Sequence, residues 1–196
     1  AYVTNTMLGS NPTVSQCPIL GDGSFGPCVS AENNDLFSGP FGIAFDKSGT
    51  HAYITNEDSG DVFFCAVING TFEHCLDTNY NCSGQPGSQP YGIALNSYGT
   101  IAYIVDGSEP GLIVACTIAS DGTFDLCVNA ARGLASNYFT YGTLRLNAAG
   151  TIAYIAGAEN SNIVYSCPII NGGMKFDVSN CTGVKGPGNA YGVALT

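Results

Sequence analysis

The sequence predicts an all-β fold, a β-propeller with four blades of four antiparallel strands, and three observations lead to this class. The composition is rich in turn residues, with 26 Gly and 9 Pro in 196 residues, while 45% of the chain is hydrophobic. This balance favours short buried strands joined by tight turns over long helices. A four-part pattern returns about every 50 residues, and cysteines recur at two places in each unit.

The first two parts of the repeat are an aromatic-glycine strand and a short turn. The strand has the order aromatic residue, Gly, aliphatic residue, Ala, and is found at Phe41–Phe45, Tyr91–Leu95 and Tyr191–Leu195. The turn glycines are 50 and then 51 positions apart, at Gly49, Gly99 and Gly150. Such regular spacing indicates one structural unit repeated along the chain.

A tyrosine-bearing second strand and a cysteine-bearing hairpin complete each unit. The second strands are predicted at Ala1–Asn5, Ala52–Asn56, Ala102–Asp106 and Ala153–Gly157. In the hairpin, an Asn-Gly or Asp-Gly turn joins a third strand such as Asp61–Val67 to a fourth such as Thr71–Leu76. Four short strands per unit are typical of a propeller blade. A β-sandwich is the alternative, but its strands would not return in the same four-part order.

The repeats predict how the chain divides and closes. We expect one β-propeller domain over 1–196, with repeats at approximately 1–50, 51–100, 101–151 and 152–196. Because the chain opens with a second strand and ends with a first strand, 191–196 are expected to pair with Ala1–Asn5 and complete the first blade. Two chains joining into a larger ring are the alternative.

The second strands carry a recognisable motif. Ala1-Tyr2-Val3-Thr4-Asn5 and Ala52-Tyr53-Ile54-Thr55-Asn56, each followed by a loop and a third strand such as Thr13–Cys17, resemble the YVTN-type β-propeller repeats of secreted and surface proteins. The resemblance covers the whole chain and implies a propeller in an extracellular setting, with no catalytic residues carried over. Val105-Asp106 and Ala156-Gly157 depart from the Thr-Asn pair in the later repeats.

Charge and hydrophobicity restrict the partners. The chain has 15 acidic and 5 basic residues, a formal charge of −10, which would be repelled by nucleic-acid phosphates and anionic lipid. No apolar run approaches the roughly 20 residues that cross a bilayer. We therefore expect neither nucleic-acid binding nor membrane insertion, and partners among copies of the chain itself, extracellular proteins or carbohydrate.

The nine cysteines predict disulfides and an oxidising compartment, hence a secreted or cell-surface protein. Hairpin strands bring facing α-carbons to about 4.5–5.5 Å, within disulfide reach. One bridge is expected in each blade: Cys17–Cys28, Cys65–Cys75, Cys116–Cys127 and Cys167–Cys181. Cys82 is the ninth cysteine and has no counterpart in the other units. It is expected to form an intermolecular bridge or to be an exposed thiol, and the alternative is a buried free cysteine.

Candidate catalytic groups are sparse, so no catalytic residue is predicted. His51 and His74 are the two histidines, and neither is flanked by a nucleophile motif. The acidic loop containing Glu57, Asp58 and Asp61 is a candidate calcium site, because hard cations take several oxygen ligands. The alternative is a solvated acidic turn, and no other cofactor is expected.

Ligand-binding candidates stand out where a unit departs from the repeat. Arg145 replaces the Ala of the first strand, and Thr143 stands where the others have Gly. This Arg is a candidate for holding an anionic group in the central channel, or a solvated side chain beside a bulge. The exposed-looking aromatics that do not repeat are candidates for stacking on sugar rings: Tyr80, Tyr98, Tyr138 and Phe139. The repeating tyrosines are expected in the core.

Three Asn-x-Ser/Thr sequons predict possible glycosylation, at Asn69, Asn81 and Asn180. Taken together, the sequence favours a secreted, disulfide-stabilised binding or structural module that can self-assemble. The alternatives are a lactonase-like hydrolase with a divalent metal at the channel mouth and a carbohydrate-binding lectin or adhesin. The fold does not choose among them.

Overall fold

The computed structural model describes residues 1–5, 13–31, 36–80, 88–109, 111–134, 142–157, 162–186, 188 and 192–195. The strands are β1 (Tyr2–Asn5), β2 (Thr13–Gln16), β3 (Val29–Ser30), β4 (Pro40–Phe45), β5 (His51–Asn56), β6 (Asp61–Ile68), β7 (Thr71–Asp77), β8 (Pro90–Leu95), β9 (Ile101–Asp106), β10 (Leu112–Ile118), β11 (Phe124–Ala131), β12 (Thr143–Leu146), β13 (Ile152–Ala156), β14 (Ile163–Ile170), β15 (Lys175–Phe176) and β16 (Thr182–Lys185). Within these residues, no helix is long and apolar enough to span a bilayer.

The strands form four antiparallel sheets, which are the four blades of a β-propeller. Blade 1 is β1-β2-β3, blade 2 is β4-β5-β6-β7 and blade 3 is β8-β9-β10-β11; blade 4 is β12-β13-β14-β15, with β16 also paired to β14. The predicted fold class is confirmed. In blade 1, β1 pairs with β2, and the described residues 192–195 form no strand. Completion of this blade by 191–196 stays a prediction, because 191 and 196 lie outside the described residues.

The hydrophobic core consists of three clusters, one between each pair of consecutive blades. An aromatic contact recurs in each of them. A Phe at or beside the start of the fourth strand packs on the second-strand Tyr of the preceding blade, with centroid distances of 5.2, 5.7 and 5.6 Å. The three pairs are Phe72 with Tyr2, Phe124 with Tyr53, and Phe176 with Tyr103. The expectation that the repeating tyrosines fill the core is met at Tyr53 and Tyr103.

The threonine of the second-strand motif links consecutive blades through the backbone. Thr4 Oγ1 donates to the carbonyl of Phe41 at 2.9 Å, and Thr55 Oγ1 donates to the carbonyl of Tyr91 at 2.6 Å. The first strands also approach closely, since a Cβ on Gly92 would lie 2.6 Å from the carbonyl oxygen of Gly142. Glycine is therefore required where neighbouring first strands meet.

Each blade carries one disulfide. In blades 2, 3 and 4 it joins the third strand to the segment that follows, and in blade 1 it joins Cys17, next to the end of β2, to Cys28, next to the start of β3. The four predicted pairs are confirmed, with Cα–Cα distances of 4.2, 4.0, 4.0 and 4.3 Å in chain order. Each bridge closes a loop of 10 to 14 residues, which removes chain entropy from the unfolded state.

Candidate functional site

The turns between first and second strands share one hydrogen-bonded conformation. In blade 3, Asn96 Oδ1 accepts the backbone N–H groups of Thr100 and Ile101 at 2.8 and 3.2 Å. Gly99 takes φ +69° and donates its N–H to the Asn96 carbonyl at 3.0 Å. Asp46 and Asn147 accept the matching bonds in blades 2 and 4. These bonds therefore fix the backbone of the turn, including that of the residue at its apex.

Tyr98 is the apex residue in blade 3, and its side chain is 85% exposed. It lines a groove of about 480 Å³ that lies between blades 3 and 4. The opposite wall is the hairpin turn of blade 4, Asn171–Gly173, and Ile101 and Tyr103 also line the groove. The sequence predicts Tyr98 as a ligand-binding residue, but it gives no indication of the residues on the opposite wall.

The lining of this groove combines aromatic rings with neutral polar groups. Its side chains include Asn96, Thr100 and Asn171, and no Asp, Glu, Lys or Arg is among the lining residues that the structure describes. Burial raises the pKa of the Tyr103 phenol, so this hydroxyl stays protonated at neutral pH. The groove can offer a planar apolar surface and uncharged hydrogen-bonding groups to a ligand.

A second groove of about 370 Å³ occupies the equivalent place between blades 2 and 3. Its turn carries Ser48 where the blade 3 turn carries Tyr98. His51 stacks on the Phe64 ring with centroids 4.9 Å apart, and its Nδ1 lies 3.4 Å from Asp46 Oδ2. Asp121 lines the opposite side. This groove is therefore smaller and acidic, so the two grooves differ in the chemistry they present.

The candidate calcium residues lie around the loop that joins β5 to β6. Glu57 accepts a hydrogen bond from the Tyr91 phenol at 3.1 Å. Partial burial raises the pKa of the Glu57 carboxyl, an effect that the Tyr91 bond opposes and the nearby Asp58 reinforces. Asp58 is exposed, and Asp61 begins β6 opposite Asn56. Within the described residues, no group of three His, Cys, Asp or Glu side chains is arranged to hold a metal ion.

Tyr80 is a correction to the sequence analysis, because its side chain is fully buried and cannot stack on a ligand. Its phenol donates to Asp106 Oδ2 at 2.7 Å. Asp106 is itself 1% exposed, and its Oδ1 accepts the backbone N–H groups of Ser108 and Gln89 at 2.8 and 3.3 Å. This carboxylate anchors two loops where blades 2 and 3 meet, a role that the sequence analysis missed.

Arg145 lies on β12 opposite Tyr154, the register that Ala94 has with Tyr103 in blade 3. Its side chain is exposed, and Nη1 donates to the carbonyl of Leu144 at 2.9 Å. Ala94 belongs to the core between blades 3 and 4, so it lies on the side of blade 3 that faces blade 4. The equivalent side of blade 4, which carries Arg145, therefore faces away from blade 3. A ligand-binding role for Arg145 stays a prediction.

Several sequence-based candidates lie outside the described residues: Tyr138, Phe139, Cys82 and Asn81. The other two sequon asparagines are exposed. Asn69 takes φ +52° in a hairpin turn, and Asn180 Nδ2 donates to Asp177 Oδ2 at 2.7 Å. Both positions are reachable from solvent.

No protein-family model and no curated protein sequence matches the chain. Solved structures do resemble it. A chain of the nidogen/laminin complex superposes with a TM-score of 0.65 and 16% identity, over 94% of this chain and 60% of that one. The periplasmic gluconolactonase PpgL of Pseudomonas aeruginosa superposes with a TM-score of 0.60 and 15% identity, over 89% of this chain and 52% of that one. The β-propeller domain of Cps50 (Swd1) from Myceliophteria thermophila superposes with a TM-score of 0.54 and 10% identity, over 93% of this chain and 55% of that one.

The likeness to these structures concerns the fold. At identities of 10–16%, it extends to neither activity nor ligand. The chain spans about 38–60% of the length of the first solved structures that it resembles. The protein therefore shares the β-propeller architecture with proteins of different functions.

Proposed function

We propose that this chain is a secreted, disulfide-stabilised propeller of the YVTN-type repeat family that binds a neutral saccharide. The binding site is the groove between blades 3 and 4. The observation that carries the proposal is the exposed ring of Tyr98, which stands on a hydrogen-bonded turn and lines a groove of about 480 Å³. Fold likeness alone favours neither binding nor hydrolysis, because a nidogen complex and a gluconolactonase are both among the similar structures.

The chemistry of the groove suits sugars better than other ligand classes. A pyranose ring has an apolar face that can stack on an aromatic ring, and hydroxyls that exchange hydrogen bonds with amides and other hydroxyls. The groove has no charged side chain in its described lining, and the chain carries a net charge of −10. An anionic ligand would find no counter-charge there and would be repelled at longer range.

An extracellular setting is supported by the covalent structure. Four disulfides join the hairpins of all four blades, and such bonds form and persist in oxidising compartments. Asn69 and Asn180 are solvent-exposed sequon positions and would accept glycans in a eukaryotic secretory pathway. The YVTN-type motif in the second strands supports the same setting.

Replacing Tyr98 tests the proposal. The wild-type chain is expected to bind neutral glycans in preference to sialylated ones on an immobilised panel. Tyr98→Ala should weaken that binding by about 2- to 13-fold, which corresponds to the loss of about 0.5–1.5 kcal/mol of ring stacking. Tyr98→Phe keeps the ring and should stay close to wild type.

The matched control is Leu126→Ala, a side chain that is 55% exposed on β11 and does not line the groove. It should leave affinity unchanged. Equal affinities of wild type and Tyr98→Ala, or a preference for sialylated glycans, would refute the assignment of this groove.

A further inference from the structure

The groove between blades 3 and 4 contains a buried hydroxyl without a partner in the described part of the chain. We call the buried lining residues Ile101 and Tyr103, which are 7% and 1% exposed, the floor of the groove, and exposed Tyr98 its rim. Among the residues that the structure describes, none exchanges a hydrogen bond with Tyr103 Oη. Burial raises the pKa of this phenol, so at neutral pH it keeps its proton and can donate it to a ligand.

The equivalent tyrosine between blades 2 and 3 uses its hydroxyl inside the protein. Tyr53 Oη donates to the carbonyl of Gly122, in the hairpin turn of blade 3, at 3.0 Å. The hairpin turn of blade 4 has a different conformation, because each residue of Asn171–Gly173 takes positive φ, whereas in the blade 3 turn it is Gly122 that does. The same repeat position therefore stabilises the fold in one groove and leaves a donor for a ligand in the other.

Aliphatic carbon lies beside this hydroxyl. Ile101 precedes Tyr103 by two positions on β9, so the two side chains lie on the same face of the strand. A Cβ on Gly173 would lie 2.6 Å from Ile101 Cδ1 and 3.0 Å from Tyr103 Oη, so a methyl group and the hydroxyl lie next to the same turn residue. Ile169 also lines the groove. The floor thus offers one hydrogen-bond donor with aliphatic neighbours.

We propose that the floor of this groove binds the acetamido group of an N-acetylated hexosamine. The acetyl carbonyl accepts the hydrogen bond of Tyr103 Oη and the acetyl methyl packs on Ile101, while the sugar ring stacks on Tyr98. This inference rests on the proposed saccharide site and specifies the class of sugar that the site selects.

A carbonyl suits this floor better than a sugar hydroxyl. A carbonyl oxygen only accepts, so the bond from Tyr103 satisfies it without adding a donor among aliphatic side chains. A sugar hydroxyl that accepted the same bond would bring its own O–H group, which costs free energy when it is buried unpaired. An acetamido group also extends farther from the sugar ring than a hydroxyl does. It can therefore reach the floor while the ring stays on Tyr98 at the rim.

Matched glycans test the selectivity. Chitotriose and cellotriose have the same rings and linkages, and chitotriose carries acetamido groups where cellotriose carries hydroxyls; the methyl glycosides of N-acetylgalactosamine and galactose form a second such pair. In titration calorimetry, the wild-type chain should bind the acetamido member of at least one pair about fivefold or more tightly. Tyr103→Phe keeps the ring and removes the donor. It should weaken binding of the acetamido member by about 5- to 140-fold and leave binding of the hydroxyl member unchanged.

Tyr53→Phe is the matched control. It removes the internal bond to Gly122, so it should lower the urea midpoint and leave the preference for acetamido glycans intact. Tyr103→Phe breaks no such bond and should keep a urea midpoint close to that of wild type.

The outcomes separate this inference from the saccharide site itself. Equal affinities within both pairs, with binding that still depends on Tyr98, would overturn acetamido recognition and leave the saccharide groove in place. A preference that survives Tyr103→Phe would overturn it as well. Absence of any neutral-glycan binding, or binding that Tyr98→Ala does not alter, would refute the saccharide groove and the acetamido site together.

Discussion

At the scale of single residues, the second-strand threonine stabilises the packing of one blade on the next. Thr55 is fully buried; its hydroxyl donates to the carbonyl of Tyr91 at 2.6 Å and accepts the N–H of Gly42 at 2.7 Å. Buried backbone groups cost free energy when they are left unpaired. The hydroxyl therefore bonds polar groups of two first strands at positions where the pairing of β4 and β8 is irregular.

Thr55→Val should reduce the free energy of unfolding by about 1–3 kcal/mol, because it removes both hydrogen bonds from a buried site. The shape is compatible, since Val105 stands at the same position in blade 3. The measurement is urea denaturation followed by circular dichroism with the disulfides intact. Thr182→Val on exposed β16 is the control. A loss no larger than that of the control would show that the inter-blade bonds contribute nothing to stability.

Glu57 gives a prediction for pH dependence. Burial raises its pKa above the ordinary 4.5, so the folded chain keeps the proton to higher pH than the unfolded chain. Its contribution to stability therefore falls as pH rises from the ordinary value through the raised one. Glu57→Gln removes this titration, so the stability of the variant relative to wild type should increase as pH rises from the ordinary 4.5 through the raised pKa. Urea midpoints across this range measure it, and a flat or opposite trend would contradict the assignment.

At the scale of elements, the first strand and the turn after it carry most of the special geometry. The turn needs Asp or Asn to accept two N–H groups and Gly at positive φ, as at Asn96 and Gly99. The first strand needs Gly where it approaches the next blade, as at Gly92 beside Gly142. These requirements explain why the repeat is most regular in this part of the sequence.

Gly92→Ala should lower the free energy of unfolding by about 1–3 kcal/mol, the usual cost of overpacking. The added Cβ would lie 2.6 Å from the Gly142 carbonyl oxygen and 2.7 Å from the Thr143 Cα, and backbone atoms cannot move aside as a flexible side chain can. Gly21→Ala is the matched control, since nothing lies within 4 Å of a Cβ at that position. Equal urea midpoints for the two variants would show that the first strands tolerate a wider separation.

At the scale of the whole molecule, stability comes from inter-blade packing, and the proposed saccharide site lies in the space between two blades. The three core clusters each join two consecutive blades, and the disulfides constrain each blade separately. Both grooves are lined by turns and strands of two adjacent blades.

The sequence by itself determined the features that depend on local spacing. The repeat predicted four sheets, the Gly-containing turns predicted the hairpins, and the hairpins predicted the four cysteine pairs, because each pair lies 10 to 14 residues apart. The sequence also singled out Tyr98 through its departure from the repeat.

Only the tertiary structure decided what depends on contacts between blades. It buried Tyr80 against Asp106, paired Thr55 with Tyr91, and placed Asn171–Gly173 opposite Tyr98. These residues are tens of positions apart, so local sequence patterns carry no information on their contacts. Phe25 in blade 1 is 65% exposed, whereas Phe72, Phe124 and Phe176 in the later blades are buried against the preceding blade, a difference that the sequence of one blade does not encode.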